Sequence, residues 1–289
     1  MAEAVESVHD QTLADWELIL VDDGSTDRST LIARELAAKD ARIRYISHAR
    51  HENRGRSASR NVGAAHATAP YVAFLDADDV WEPEKLAEQV DVLGSIPDIA
   101  MVCGSLLYWY SWDPAATNED VVLLTGGIAD RRLDPPDAAL SNYPLAHKAG
   151  AGIDLLIRRD VFEAVGGFEN RFRGMYDDQA LIVKVFLCYP VYVSSRAWIR
   201  YRQHDGSCCA QTTWLEHWRL RGEFLDWLQK YVEPLGDSHI NAAVRGARRE
   251  VKYRKLMAPA HAIYNHIRAA VPVELKQRVK RTFAARTTK

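Results

Sequence analysis

Cysteine is scarce. The 289-residue chain has four, Cys103, Cys188, Cys208 and Cys209, too few and too unevenly spaced for a disulfide framework or a zinc cluster. That usage fits a reducing compartment. No apolar run approaches the ~20 residues of a membrane span, and MAEAVESVHDQ lacks the charged-then-apolar layout of a secretory leader. A cytoplasmic protein is therefore expected, soluble or peripheral on the inner face of the membrane. Net charge is small: 37 Lys plus Arg against 39 Asp plus Glu leaves −2, so no overall positive field draws the chain to nucleic acid. Internal repeats and low-complexity tracts are missing. What is present, 47% hydrophobic and 26% charged residues, makes a globular protein with one large core or two modest ones.

Strand and helix patterns alternate along the first two thirds. A helix is expected over Ala2–Val8 and a strand over Trp16–Val21, running into Asp22-Asp23-Gly24-Ser25. Ser25, Thr26 and Asp27 can cap the next helix, whose apolar residues recur at three-to-four spacing up to Lys39. Ile43–Ser47 reads as a strand and Ser57–Ala67 as a helix. Tyr71–Leu75 is a buried strand ending at Asp76-Ala77-Asp78-Asp79. A helix over Glu84–Leu93 and a strand over Met101–Trp109 follow. Asp113–Pro144 is rich in breakers and reads as a loop or flap. Leu155–Arg158 is extended, Asp160 caps a helix to Val165, a helix spans Asp178–Leu187, and Val191–Val193 is a strand. Such alternation predicts an α/β fold with a mostly parallel central sheet flanked by helices, which binds ligands at the carboxyl ends of its strands. From Thr212 the pattern is helical. Its basic end, Lys252–Lys289, interleaves Lys and Arg with Leu256, Met257, Ile263, Tyr264 and Ile267, which suits either a solvated face or membrane and lipid-linked-substrate contact.

Two acidic clusters, Asp22-Asp23 and Asp76-Ala77-Asp78-Asp79, each follow an expected strand, so a parallel sheet brings both to one rim. Crowded carboxylates repel unless a hard cation or a polar ligand joins them, and Mg²⁺ or Mn²⁺ bridging a diphosphate meets that need. Turn and cap chemistry is the plainer alternative.

VDDGSTD, the segment Gly55-Arg56-Ser57-Ala58-Ser59-Arg60-Asn61-Val62-Gly63, YVAFLDADDVWEPEKL and DLLIRRDVFEAVGGFE, in this order over roughly residues 2–207, resemble the family 2 glycosyltransferases with the GT-A (Rossmann-like) fold. The resemblance implies a GT-A domain over 1–207 and a C-terminal helical region over 208–289. It implies an inverting hexosyltransferase that moves a sugar from a nucleotide-diphosphate donor, by default a UDP-sugar, to a hydroxyl of a saccharide or lipid-linked acceptor, as in polysaccharide or glycolipid synthesis. Asp22 and Asp23 fall in the donor loop, Asp23 matching the position that hydrogen-bonds the base. Arg60 matches one that faces the nucleotide. In the Asp-x-Asp motif, Asp78 matches the main ligand of Mn²⁺ or Mg²⁺, Asp76 lies where ribose or the metal shell is contacted, and Asp79 can support that shell. A divalent cation there would stabilise the negative charge of the departing diphosphate. Asp178 matches the family's general base, needed to take the acceptor's proton, with Asp177 positioning the acceptor. N-capping is the structural alternative for this pair. Gly167, in Gly166-Gly167-Phe168, matches a turn beside the acceptor. Tyr201-Arg202-Gln203-His204 resembles the segment near the diphosphate, which makes His204 a third metal ligand and Arg202 a phosphate contact.

The family normally begins with an apolar strand ahead of the helix that here starts near Ala2, and this chain lacks it. That strand sits centrally, between the strands ending at Asp22 and Asp76, so those neighbours either pair directly or leave a gap with unpaired backbone groups. The functional protein is accordingly expected to carry about a dozen further residues ahead of Met1. Two other readings remain open. A non-catalytic relative that binds a sugar nucleotide or partner enzyme is favoured by the missing strand, and a haloacid-dehalogenase-type phosphohydrolase would use Asp76 as nucleophile and Asp78 as acid/base.

Overall fold

A computed structural model describes residues 1–124, 129–146 and 152–258. Its first part runs α1 (Ala2–His9), β1 (Leu18–Asp22), α2 (Ser29–Lys39), β2 (Ile43–Ser47), α3 (Arg56–His66), β3 (Tyr71–Ala73), β4 (Val80–Trp81) and α4 (Lys85–Ser95). Then come β5 (Met101–Trp109), β6 (Val121–Leu123), β7 (Arg131–Leu133), α5 (Asp137–Ser141), β8 (Leu155–Arg158), α6 (Arg159–Ala164), α7 (Asp177–Cys188) and β9 (Val191–Arg202). The one-turn helix α8 (Cys208–Gln211) leads to α9 (Trp214–Val232) and α10 (Ser238–Leu256). Most of the basic stretch beyond Lys252 lies outside the described residues.

The elements follow from composition and capping, with instructive exceptions. Thr213 caps α9 by accepting from the Glu216 amide, and Asp237 caps α10 by accepting from the amides of His239 and Ile240. At α2 the N-cap is Arg28 and contributes no side-chain bond; Asp27 instead accepts from the Ser29 amide at 2.9 Å. Asp160 is not the cap of α6 either, since it lies inside the first turn, behind Arg158. The segment expected as a loop, Asp113–Pro144, contains β6, β7 and α5. Val121 and Val122 of β6 stay exposed, so this strand exists because the β5 edge offers a ladder, not because it buries a face. β9 continues to Arg202, where charged residues break the apolar pattern; pairing with β5 carries it through a bulge.

The sheet is mixed, which corrects the expectation of mostly parallel pairing. Among the described residues only β1–β2 and β5–β9 are parallel, whereas β3–β8, β4–β9, β5–β6, β5–β8 and β7–β9 are antiparallel. Parallel neighbours need long crossovers, and β6 instead returns to β5 through one loop.

No described ladder joins β1 to β3. β1 pairs with β2 alone, and β3 forms one edge of the larger sheet, ordered β3-β8-β5-β9-β4. A cleft of about 1120 Å³ lies between the two edges, lined by Leu18 and Leu20 of β1, Val72 of β3, Phe74 and the α1 residues Val5 and Val8, and it opens toward Asp76 and Asp78. Of the two arrangements open from the sequence, the gap is the one observed.

The core centres on β5, β8 and β9, where Met101, Leu155, Ile157, Val191 and Ile199 are fully buried beside Leu181 and Phe186 of α7. α9 and α10 join the same cluster: Phe224 stacks on Tyr176 at 4.9 Å, and Leu228 and Val244 are buried with it. One ion pair is completely enclosed. Lys85 Nζ donates to Asp154 Oδ1 at 2.5 Å, both side chains without solvent exposure, and Asp154 Oδ2 accepts from the Trp198 amide. Gly104 makes room for it, since a Cβ there would sit 2.6 Å from Asp154 Oδ2.

Candidate active site

The loop after β1 is held from inside. Asp22, the last residue of β1, accepts from the Ser25 amide (2.8 Å), the Thr30 hydroxyl (2.5 Å) and the Tyr45 hydroxyl (3.0 Å). Burial alone would raise its pKa, but these donors bring it down to about 2. Its oxygens thus organise the loop. Asp23 reaches across to the loop before α3, accepting from the amides of Arg54 (2.6 Å) and Gly55 (2.9 Å). Gly55 is at φ +90°, and a Cβ would lie 3.0 Å from Arg173 Nε, so a side chain would be strained and crowded there.

Two arginines one turn apart on α3 tie the two acidic regions together. Arg60, nearly buried, donates from Nη2 to Asp76 Oδ1 at 2.5 Å and from Nη1 to Asp177 Oδ2 at 2.8 Å. Arg56 Nη2 donates to Asp177 Oδ1 (3.2 Å) and to the Gly174 carbonyl (2.5 Å), while its Nη1 lies 3.9 Å from Asp76. Burial pushes the Asp76 carboxyl up, yet the Arg60 and Arg56 charges outweigh it and hold the pKa below the ordinary value. Asp79 makes no such ion pair among the described residues, and the Arg202 charge opposes its burial only weakly. Burial, aided by the charges of Asp76 and Asp78 and opposed by a bond from the Arg202 amide, pushes it up to about 8.

Asp78 and His204 meet. His204 Nε2 stands 3.1 Å from Asp78 Oδ2, although 126 positions separate them in the chain. Arg202 runs alongside, donating from Nε to the Asp78 carbonyl at 2.6 Å and pairing with Glu3; its guanidinium lies over the rings of Trp109 and Trp112. No group of three or more His, Cys, Asp or Glu side chains arranged for a metal occurs among the described residues. One carboxylate and one imidazole still suit a divalent cation that keeps water and takes diphosphate oxygens for its other positions.

The acid pair at the start of α7 is split by its partners. Tyr176, at φ +73°, precedes the helix. Asp177 is buried and claimed by both arginines. Asp178 is partly buried and makes no ion pair among the described residues; one oxygen accepts from the Gln179 amide. Burial raises its pKa well above the carboxylate range, with the Asp177 charge adding and Arg60 opposing. Gly167, at φ +61°, turns the chain against Asn61 and Phe162, and its carbonyl accepts from Lys184 Nζ at 2.6 Å; it is not among the residues lining the cleft. In the sequence Arg56 reads only as part of the segment that carries the family resemblance and is given no role, although its four-residue spacing from Arg60 is a usable signal.

A family model described as Glycosyl transferase family 2 matches residues 1–140. Residues 1–140 are a family 2 glycosyl transferase domain. A curated relative, an uncharacterized glycosyltransferase of Rickettsia typhi, is 29% identical over 215 residues, covering 74% of this chain and 61% of that one. The chain thus spans about three fifths of the length of the Rickettsia relatives it matches. Among solved structures, S. aureus TarS in complex with UDP-GlcNAc superposes with a TM-score of 0.63 at 16% identity, covering 95% of this chain and 73% of that one. The mannosyltransferase PcManGT of Pyrobaculum calidifontis, in complex with GDP-Man and Mn²⁺, gives 0.53 at 18% identity, covering 100% and 76%. The fold is therefore GT-A, and the glycosyl transferase assignment sets aside the phosphohydrolase reading of Asp76. The matched segment contains Asp22, Asp23, Arg60, Asp76 and Asp78, while Asp177, Asp178, Arg202 and His204 come from the part of the chain beyond it. No helix among the described residues is long and apolar enough to cross a membrane.

Proposed function

We propose that the protein transfers a hexose from a nucleoside diphosphate sugar to an acceptor hydroxyl with inversion, assisted by a divalent cation. The observation that carries this reading is the contact of Asp78, which lines the cleft, with His204. These two residues would hold Mn²⁺ or Mg²⁺. When bound, the cation would offset negative charge on the leaving diphosphate. Arg60 and Arg56 hold the Asp76 pKa below its ordinary value and fix Asp76 and Asp177 by ion pairs, so the donor side is ordered before substrate arrives. Asp178 takes the acceptor's proton. It is suited to this because its raised pKa makes the carboxylate a stronger base, and because, unlike Asp177, it forms no ion pair with an arginine among the described residues. Inversion follows if the acceptor oxygen attacks from the face opposite the diphosphate. The Asp22 and Asp23 loops border the nucleotide, Arg202 lies near the phosphates, and Gly167 belongs to the turn beside the acceptor.

UDP is the donor nucleotide we favour, supported by the fold shared with TarS, which was solved with UDP-GlcNAc. A saccharide or lipid-linked acceptor and peripheral attachment through the basic C-terminal stretch complete the reading. The gap beside β1 favours a second one, a relative that binds sugar nucleotide without turning it over. Calorimetric titration with UDP, GDP and dTDP, with and without Mn²⁺ and repeated on Asp78→Ala, tests the proposal. Manganese-dependent binding of one nucleotide, lost in the variant, is expected. A folded chain that binds none of the three would sink the reading, and binding without transfer or hydrolysis of the sugar nucleotide would favour the second.

A further inference from the structure

We propose that Cys208 is a thiol-modification site, open to oxidation by hydrogen peroxide, that controls the arginine network joining α3 to α7. Its effect on sugar transfer rests on the function proposed above; the modification itself does not. Cys208 is exposed and lines the same cleft as Asp76, Asp78 and Arg56. Its Sγ lies 3.7 Å from Arg56 Nη2, the nitrogen that also donates to Asp177 and to the Gly174 carbonyl. The next residue is a second exposed thiol, Cys209, whose Sγ lies 3.8 Å from the Tyr201 hydroxyl. The sulfur thus touches one of the two cations that hold Asp177, and it has a neighbouring thiol. Accessible, cation-stabilised cysteines beside another cysteine are the ones that oxidise selectively.

The electrostatics agree with the geometry. A hydrogen bond from Cys209 and the Arg56 charge lower the Cys208 pKa to about 6, against burial and the Asp177 charge, while Cys209 is pushed up. Cys188, also exposed, has its thiol raised by burial and serves as an internal reference. In the reaction a lone pair on the Cys208 thiolate attacks one peroxide oxygen. An S–O bond forms, the O–O bond breaks, and hydroxide departs and takes a solvent proton to become water. The sulfur is oxidised to a sulfenic acid and the peroxide is reduced. Loss of the thiolate charge by itself leaves Arg56 freer to bond Asp177; the added oxygen, entering the 3.7 Å between sulfur and Arg56 Nη2, is what displaces Arg56 from Asp177.

Iodoacetamide labelling at pH 7 with peptide mapping reads the reactivity. Cys208 is expected to react about tenfold faster than Cys188, and several-fold more slowly in Arg56→Met. After peroxide treatment, dimedone should label Cys208, and amide hydrogen exchange across residues 173–178 should rise; dithiothreitol before trapping should reverse both, and Cys208→Ser should show neither. Alkylation no faster than at Cys188, or sulfenylation that leaves exchange across 173–178 unchanged, would overturn the proposal. UDP binding by the untreated chain separates the two readings. Absent binding with a reactive Cys208 counts against the glycosyltransferase reading alone, whereas binding with an unreactive Cys208 counts against the thiol site alone.

Discussion

Replacing Arg60 by Met should remove the central tie of the site. Its guanidinium bonds Asp76 at 2.5 Å and Asp177 at 2.8 Å, and the three side chains are 11%, 22% and 5% exposed. Taking one partner from a buried charge cluster typically costs about 3–5 kcal/mol, because the charges left behind have lost water and gained nothing. Arg56 still reaches Asp177 at 3.2 Å, so the lower end applies, about 3 kcal/mol at pH 7. The pH dependence has a definite sign. Asp76 has its folded pKa held below the ordinary value, so its contribution is fully present above an unfolded value of about 4 and is lost as the pH falls through the depressed one. The gap between wild type and variant should therefore narrow below pH ~4. Urea unfolding followed by circular dichroism measures it, with an unchanged slope confirming that stability alone moved. Adding Asp76→Asn and Asp177→Asn to the Met variant should recover part of the loss, since no unpaired carboxylate remains. A loss under about 1 kcal/mol at pH 7, or one that does not vary with pH, would refute this reasoning.

Four other outcomes are expected. Asp178→Asn should lower kcat by roughly 10²–10⁴ with little change in donor KM; in wild type the rate should rise with pH along a limb above the ordinary carboxylate range, and Asp177→Asn should move that limb down by removing a like charge. A flat profile from about pH 5 to 8 would rule out Asp178 as the titrating base. His204→Ala should weaken manganese-dependent UDP binding about tenfold, or 1.4 kcal/mol, and leave metal-free binding unchanged, as calorimetry would record. Lys85→Met alone should destabilise by about 3–5 kcal/mol, while Lys85→Met with Asp154→Leu should fall much closer to wild type, because the pair is wholly enclosed; equal losses from both in urea unfolding would contradict this. Tyr253, Leu256 and Met257 are exposed beside Lys252, Arg254 and Lys255, so the chain should sediment with anionic vesicles at low salt and release as salt rises; no sedimentation at low salt would discard membrane contact.

Legibility followed the range of the interaction. β2, β5 and β8 were readable to the residue, since each is an apolar run with local punctuation. The acid clusters were readable as a rim for the same reason: Asp22 ends β1, and Asp76 follows Tyr71–Ala73 within three residues. Partners were not readable. Nothing near Asp22 in the sequence announces that Tyr45 will bond it, and nothing near Lys85 points to Asp154. β6 escaped because its ladder comes from β5 while its valines stay exposed. The sheet's direction was misjudged because alternation of strand and helix fixes only the local order of elements, and β8, entering between β3 and β5, sets the pairing.

The gap beside β1 and the order of the site have to be weighed together. Leu18–Asp22 pairs on one side only, so the edge toward β3 lacks a ladder among the described residues, and the cleft there is lined by Leu18, Leu20, Val72 and Phe74. A sheet edge of that kind is a weak foundation for a binding loop. Yet the residues proposed for the donor side do not depend on that edge alone. Asp23 is anchored to the loop before α3 by two amides. α3 is anchored to Asp76 and Asp177 through Arg60 and Arg56. Asp78 is joined to the end of β9 through Arg202 and to the segment just after it through His204. Each tie crosses the gap or bypasses it by side chains, where a continuous sheet would use backbone. Charge therefore takes over part of what hydrogen-bonded strands normally do, so the constellation is rigid while the arginines are paired and sensitive to whatever unpairs them. That is why Arg60 should matter for stability as much as for catalysis, and why a thiol touching Arg56 lies where a small chemical change has the longest reach.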